Sequence, residues 1–160
     1  MSTASYIGVV VQPQDRGNIL QPNLKLFGKE IASQFDDPLF HSTVIDEDTV
    51  VMRIYHHFDG YPKGLGKTLY EEFDTYEKAI NLISFGDASS ILSDLAVFYN
   101  SWRTGEDWVY TKPKQFNSEK SFEEKSAESY IYLFKDGQWY VKQCYAINNE
   151  WKLLSEILKK

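Results

Sequence analysis

Two runs of alternating β-branched and aromatic residues, joined by an Asp-Gly step, constrain this chain more than any other feature. Ser129-Tyr130-Ile131-Tyr132-Leu133-Phe134 leads into Lys135-Asp136-Gly137, and Gln138-Trp139-Tyr140-Val141 leads out. Asp-Gly supplies the positive φ angles of a tight hairpin, so the two runs are predicted to be antiparallel neighbours. A second hairpin is predicted where Ser42-Thr43-Val44-Ile45 and residues 49–55 flank Asp46-Glu47-Asp48. Along its second strand Val50, Met52, Ile54 and His56 share one face, and Val51, Arg53, Tyr55 and His57 the other. Tyr6-Ile7-Gly8-Val9-Val10-Val11 reads as a further, buried strand.

Between these strands the spacing turns helical. Leu24, Phe27, Ile31 and Phe35 predict an inserted helix within 20–41, weakened by Gly28 and stopped before Pro38. A helix is predicted from Lys67 to about Phe73, and another over Tyr76, Ile80 and Ile83, capped by Asp74 or Thr75 and closed by Gly86. A third carries Ile91, Leu92, Leu95 and Phe98 behind an Asp87 or Ser89 cap, and a terminal one carries Trp151, Leu154, Ile157 and Leu158. Residues 101–127 lack periodicity and read as a long loop. The expectation is a single α+β domain over 1–160: an antiparallel sheet of about five strands built from hairpins, with helices mainly on one face.

Charge narrows the partners. With 23 acidic against 17 basic residues the net charge is −6, which disfavours nonspecific nucleic-acid binding. Asp36-Asp37, Asp46-Glu47-Asp48, Glu71-Glu72 and Glu119, Glu123 and Glu124 form either a solvated surface or a negative face for a basic partner. Aromatics make up 16% of the chain, which serves a core and a contact surface equally well. A lone Cys144, read as a buried strand residue, excludes an internal disulfide and a cysteine metal cluster. The first residues lack a signal peptide's charged and apolar regions, and no apolar run approaches a membrane span. A cytoplasmic protein without membrane contact is expected.

The densest turn signal is Asp59-Gly60-Tyr61-Pro62-Lys63-Gly64-Leu65-Gly66, followed by Lys67-Thr68. Its Gly-Lys-Thr ending imitates a phosphate-binding loop, but Tyr61 stands where the first glycine belongs and Pro62 removes a donor. What survives is an anion site: Gly64 and Gly66 allow close backbone approach, the next helix offers free N–H groups, and Lys67 adds charge. The alternative is a structural turn. His56 and His57 point to opposite faces of a regular strand and cannot share a metal, so no metal or cofactor is assigned. His57 and Asp59 share a face, either as an acid–base pair or as strand-end packing and a turn acceptor.

The middle of the chain resembles a family of small proteins encoded by bacteriophages, prophages and some bacteria. The resemblance rests on Ile54-Tyr55-x-His57-x-Asp59-Gly60-Tyr61-Pro62-x-Gly64-x-Gly66-x-x-Leu69, on Leu82-Ile83-x-x-Gly86-Asp87-x-Ser89-Ser90, and on Tyr130-x-Tyr132 with Gly137-x-Trp139. It covers roughly 3–12, 42–98 and 129–145. Relatives often open Thr-Arg-Ser where this chain has Thr3-Ala4-Ser5. The resemblance implies a phage or mobile-element accessory protein in a bacterial host's cytoplasm. The expected function is non-catalytic binding of a host or defence protein through His57, Asp59, Tyr61, Gly64, Gly66, Lys67 and Thr68. The alternative is an enzyme or sequestering protein for a phosphate-bearing small molecule or nucleotide, using His57, Asp59 and Lys67.

Overall fold

The computed structural model of the chain describes residues 3–12, 19–20, 25–26, 29–30, 40–41, 50–92, 95–100, 105–147 and 149–159. Eight strands form one mixed sheet: β1 (Ser5–Val10), β2 (Val51–His56), β3 (Ala88–Leu92), β4 (Leu95–Phe98), β5 (Lys114–Phe116), β6 (Tyr130–Lys135), β7 (Gln138–Gln143) and β8 (Lys152–Leu153). Their order is β8-β7-β6-β1-β2-β3-β4, with β5 also pairing to β2. The helices are α1 (Lys67–Glu72), preceded by a π-helical turn (Pro62–Gly66), then α2 (Tyr76–Ile83), α3 (Gly105–Thr111), α4 (Glu119–Glu124) and α5 (Leu154–Leu158).

The fold is α+β, as expected, but the sheet is neither five-stranded nor purely antiparallel. β1 runs parallel to β6, with Ser5 opposite Tyr130, and antiparallel to β2, with Ser5 opposite His56. β2 in turn meets β3 in parallel at His56–Ala88. Parallel neighbours need long crossovers, so neither pairing leaves a local turn signal. The Asp-Gly hairpin does: Asp136 and Gly137 sit at φ 52° and 79° between the antiparallel β6 and β7.

The far edge of β2 is forked. Its first half pairs with β5, from Val51–Phe116 to Arg53–Lys114, while its last residue pairs with β3. Strand alternation then sorts the side chains. Ile7, Val9, Met52, Ile54, Tyr132, Phe134, Trp139 and Val141 pack on one face with Leu65, Leu69, Leu82, Ile83 and Leu154 from the helical segments. Val51 and Leu133 form a smaller core on the other face around Phe122 of α4. Helices thus lie mainly on the first face, with α4 alone among these covering the second. Gly8 makes room for this second layer, because a Cβ there would lie 2.7 Å from the Phe122 ring.

Several local readings change. Ile91, Leu92, Leu95 and Phe98 lie on the β3–β4 hairpin rather than a helix. Their spacing suits both states, and alternation decides it: Ile91 and Phe98 are buried while Leu92, Leu95 and Val97 are exposed. Residues 101–127 are not a long loop throughout, since α3, β5 and α4 occupy much of 105–124 and Ser118 caps α4 by accepting the Ser121 N–H. Within 20–41, Lys25–Leu26 pairs with Lys29–Glu30, and Ile19–Leu20 pairs with Phe40–His41. No helix passes through those residues; Leu24, Phe27, Gly28, Ile31, Phe35 and 42–49 lie outside the described ones. Cys144 falls in a turn just past β7, half-buried. α2 begins and ends as read, with Thr75 capping the Lys78 N–H and Gly86 at φ 84°.

Candidate functional site

The segment after β2 is held from beneath. The ladder to β3 continues for two residues, His57 N–H to Ala88 O at 3.1 Å and Phe58 N–H to Ser89 O at 2.9 Å. Asp59 then takes φ 56°, a conformation that Asp tolerates better than most residues. Gly60 donates its N–H to Thr3 O at 2.8 Å, and its carbonyl accepts the buried Tyr132 hydroxyl at 2.6 Å. A Cβ on Gly60 would lie 2.6 Å from Thr3 O and 2.7 Å from Ser5 Oγ, so no larger residue fits. Burial pushes the Tyr132 hydroxyl well above the usual tyrosine range, which keeps it a neutral donor.

Pro62 opens the π-helical turn, where a missing N–H costs little. Within it Gly64 N–H and Leu65 N–H donate to Tyr61 O and Asp59 O, both at 2.9 Å, and Gly66 N–H donates to Tyr61 O at 3.4 Å. The Lys67 N–H reaches back to the Gly64 and Pro62 carbonyls. The N–H expected to be free at the start of α1 is therefore consumed at Lys67, as are those of Gly64 and Gly66, because helical bonding begins five residues earlier. Leu65, Gly66 and Thr68 are buried. What faces outward is Phe58, 46% exposed, Asp59, Tyr61, 41% exposed, Lys63 and Lys67.

The adjacent histidines have opposite surroundings. His56, 1% exposed, accepts the Ile91 N–H at Nε2, 3.1 Å away. That leaves the proton on Nδ1, 3.4 Å from Ser5 Oγ. Burial, then the neighbouring His57, lowers its pKa to about 4. His57 points to the other face, where its Nδ1 lies 2.8 Å from the Tyr55 hydroxyl and its ring meets Phe58 edge-on at 4.5 Å. The partner His57 takes is Tyr55.

At the fork of the sheet, two charged residues serve the fold. Asp87 Oδ1 accepts the Tyr55 N–H at 2.9 Å, standing in for a strand carbonyl. Burial raises its pKa, opposed by that hydrogen bond. The Arg53 guanidinium lies 4.1 Å from the Tyr6 ring centre and 4.7 Å from that of Phe116. It donates to Lys125 O at 2.7 Å, closing the end of α4, and to Ser126 Oγ at 3.2 Å. Of the acidic stretches, Glu119 pairs with Lys135 and Glu123 with Lys142.

Lys67 faces elsewhere. It lines an open cavity of about 430 Å³ with Lys63, Tyr70 and Glu71 on one wall and Ser155, Leu158 and Lys159 on the other. Neither His57 nor Asp59 borders it. The residues read together from the sequence thus fall into an outward tip, Phe58 to Tyr61, and a lysine-lined hollow beside α1. Lys63, Tyr70, Asp87, Tyr132 and Lys159 were missed. Helical spacing of 63, 67, 70 and 71 could have found the first two, whereas Lys159 comes from the other end of the chain.

Among the described residues no three His, Cys, Asp or Glu side chains gather to hold a metal ion, and no helix is long and apolar enough to cross a membrane. Comparison with protein-family models, curated proteins and solved structures returns no match.

Proposed function

We propose that this chain is a non-catalytic binding protein that engages another protein through the tip of the bend between β2 and α1. The observation that carries this reading is the bend's asymmetry. Gly60 is buried and bonded at both its N–H and its carbonyl, while Phe58, Asp59 and Tyr61 beside it are exposed. Aromatic anchors on a backbone that is already ordered lose little conformational entropy on binding. A net charge of −6 favours a partner with a basic surface. The resemblance to phage- and prophage-encoded proteins supports a host or defence component in the bacterial cytoplasm as that partner.

A catalytic reading needs His57, Asp59 and Lys67 around one substrate. What weighs against it is that the cavity bordered by Lys67 includes neither of the others, and that His57 Nδ1 is engaged by Tyr55. The test is capture from bacterial lysate on immobilised wild-type protein and on a Phe58→Ala/Tyr61→Ala variant. A protein retained by the wild type and lost by the equally stable variant supports the tip as the contact. Recovery at background level, or equal recovery on both, rejects it.

A further inference from the structure

We infer that the cavity between α1 and α5 is a second binding site, for a nucleoside polyphosphate. Lys63 and Lys67 lie four residues apart on the continuous helical run of the π turn and α1, and Lys159 follows α5 across the hollow. Three lysines thus line one space of about 430 Å³ with a single acidic residue, Glu71, among its walls. The ion pairs among the described residues, Lys78–Asp74, Lys135–Glu119 and Lys142–Glu123, use none of the three lysines. In a chain carrying −6 overall, a local excess of positive charge around a concavity is what a polyanion would neutralise.

The hollow extends beyond the lysines. Tyr70 and Ser155 also border an adjoining space of about 80 Å³, whose other walls include Asp74 and Gln138. The lysines line only the larger space, the exposed Tyr70 and Ser155 line both, and Gln138 and Asp74 line only the smaller one. That order matches phosphates, sugar and base: the Tyr70 ring offers a stacking surface, and Gln138 and Asp74 offer hydrogen-bonding groups to a base edge. The combined size falls within the roughly 300–1,000 Å³ of small-molecule sites. Because the N–H groups of Gly64, Leu65, Gly66 and Lys67 are used internally, the lysine side chains would carry most of the hold on the phosphates, so binding is strongly salt-dependent. The site lies apart from Phe58 and Tyr61 and does not depend on a protein partner there.

Titration calorimetry on the full chain tests this with inorganic tripolyphosphate and with ATP, in low salt without divalent cations. Both are expected to bind, ATP about tenfold more tightly because of the contacts along Tyr70. Both should weaken about tenfold or more between 50 and 200 mM salt. Lys63→Gln/Lys67→Gln/Lys159→Gln should abolish both at unchanged melting temperature. Tyr70→Ala should bring ATP down to the affinity of tripolyphosphate without altering the latter. No heat from either probe at millimolar concentration overturns the site, as does binding retained in the triple lysine variant. Equal affinities for the two probes in the wild type overturn the nucleoside part. The lysate capture reads the Phe58–Tyr61 tip separately, so either proposal can fail without the other.

Discussion

The underside and the outer rim of the 57–67 bend meet along one short stretch of backbone yet obey opposite rules. Beneath, His56, Gly60 and Tyr132 are buried and hydrogen-bonded, and a Cβ at Gly60 would collide with Thr3 and Ser5. On the rim, Phe58, Asp59 and Tyr61 are exposed. Strand alternation creates the divide at the His56–His57 step, and the glycines carry it into the turn. The difference teaches that residues close in sequence to the proposed contact surface serve largely to hold it still. Substitutions below should therefore be measured in stability, and substitutions above in binding.

The largest effect is expected where the two layers meet. Gly60→Ala forces a methyl group to 2.6 Å from Thr3 O and should cost about 3 kcal/mol or more, read as a shift in the urea midpoint. A cost under about 1 kcal/mol would mean that the clamp yields.

Acid attacks the underside through His56. Its pKa is lowered to about 4 in the folded protein from an ordinary value of 6.5, so between these limits the unfolded chain binds a proton that the native one refuses. The contribution is complete above pH 6.5 and is lost as pH falls through about 4, amounting to about 3 kcal/mol. Urea unfolding of wild type and His56→Gln at pH 7.5 and 4.5 checks this, and the wild type should show the larger acid loss. Next in size is Tyr132→Phe, which strands the Gly60 carbonyl without changing shape and should cost about 1–3 kcal/mol by the same measurement. The smallest stability effects belong to the rim. Phe58→Ala and Tyr61→Ala should each stay within about 0.5 kcal/mol of wild type while removing the captured protein.

Legibility in the sequence follows the same divide between local and distant causes. The β6–β7 hairpin could be read because Asp136-Gly137 fixes its own turn, and α2 because Thr75 and Gly86 mark its ends. The opposite facing of His56 and His57 follows from strand periodicity alone. β3 and β4 look helical in sequence because Ile91, Leu92, Leu95 and Phe98 satisfy either period; Asp87 bonding to Tyr55 N–H and Ala88 pairing with His56 tie this segment into the sheet, and both partners lie some thirty residues upstream. In the bend, the glycine cluster was visible but its purpose was not. Gly60 is needed for Thr3, and Lys67 shares a cavity with Lys159, through neighbours more than fifty residues away in sequence.

The parallel seam between β1 and β6 sets the schedule on which this protein can be completed. Ser5 faces Tyr130, so everything from residue 11 to 129 must be synthesised before the first strand gains its second neighbour. At a ribosomal pace of roughly 5–20 residues per second, that flank of Tyr6-Ile7-Gly8-Val9-Val10 waits on the order of ten seconds with its amides unsatisfied by any strand. Emergence of residues 130–135 is the event that shields it, and a nascent chain halted short of that point presents an apolar edge to its surroundings.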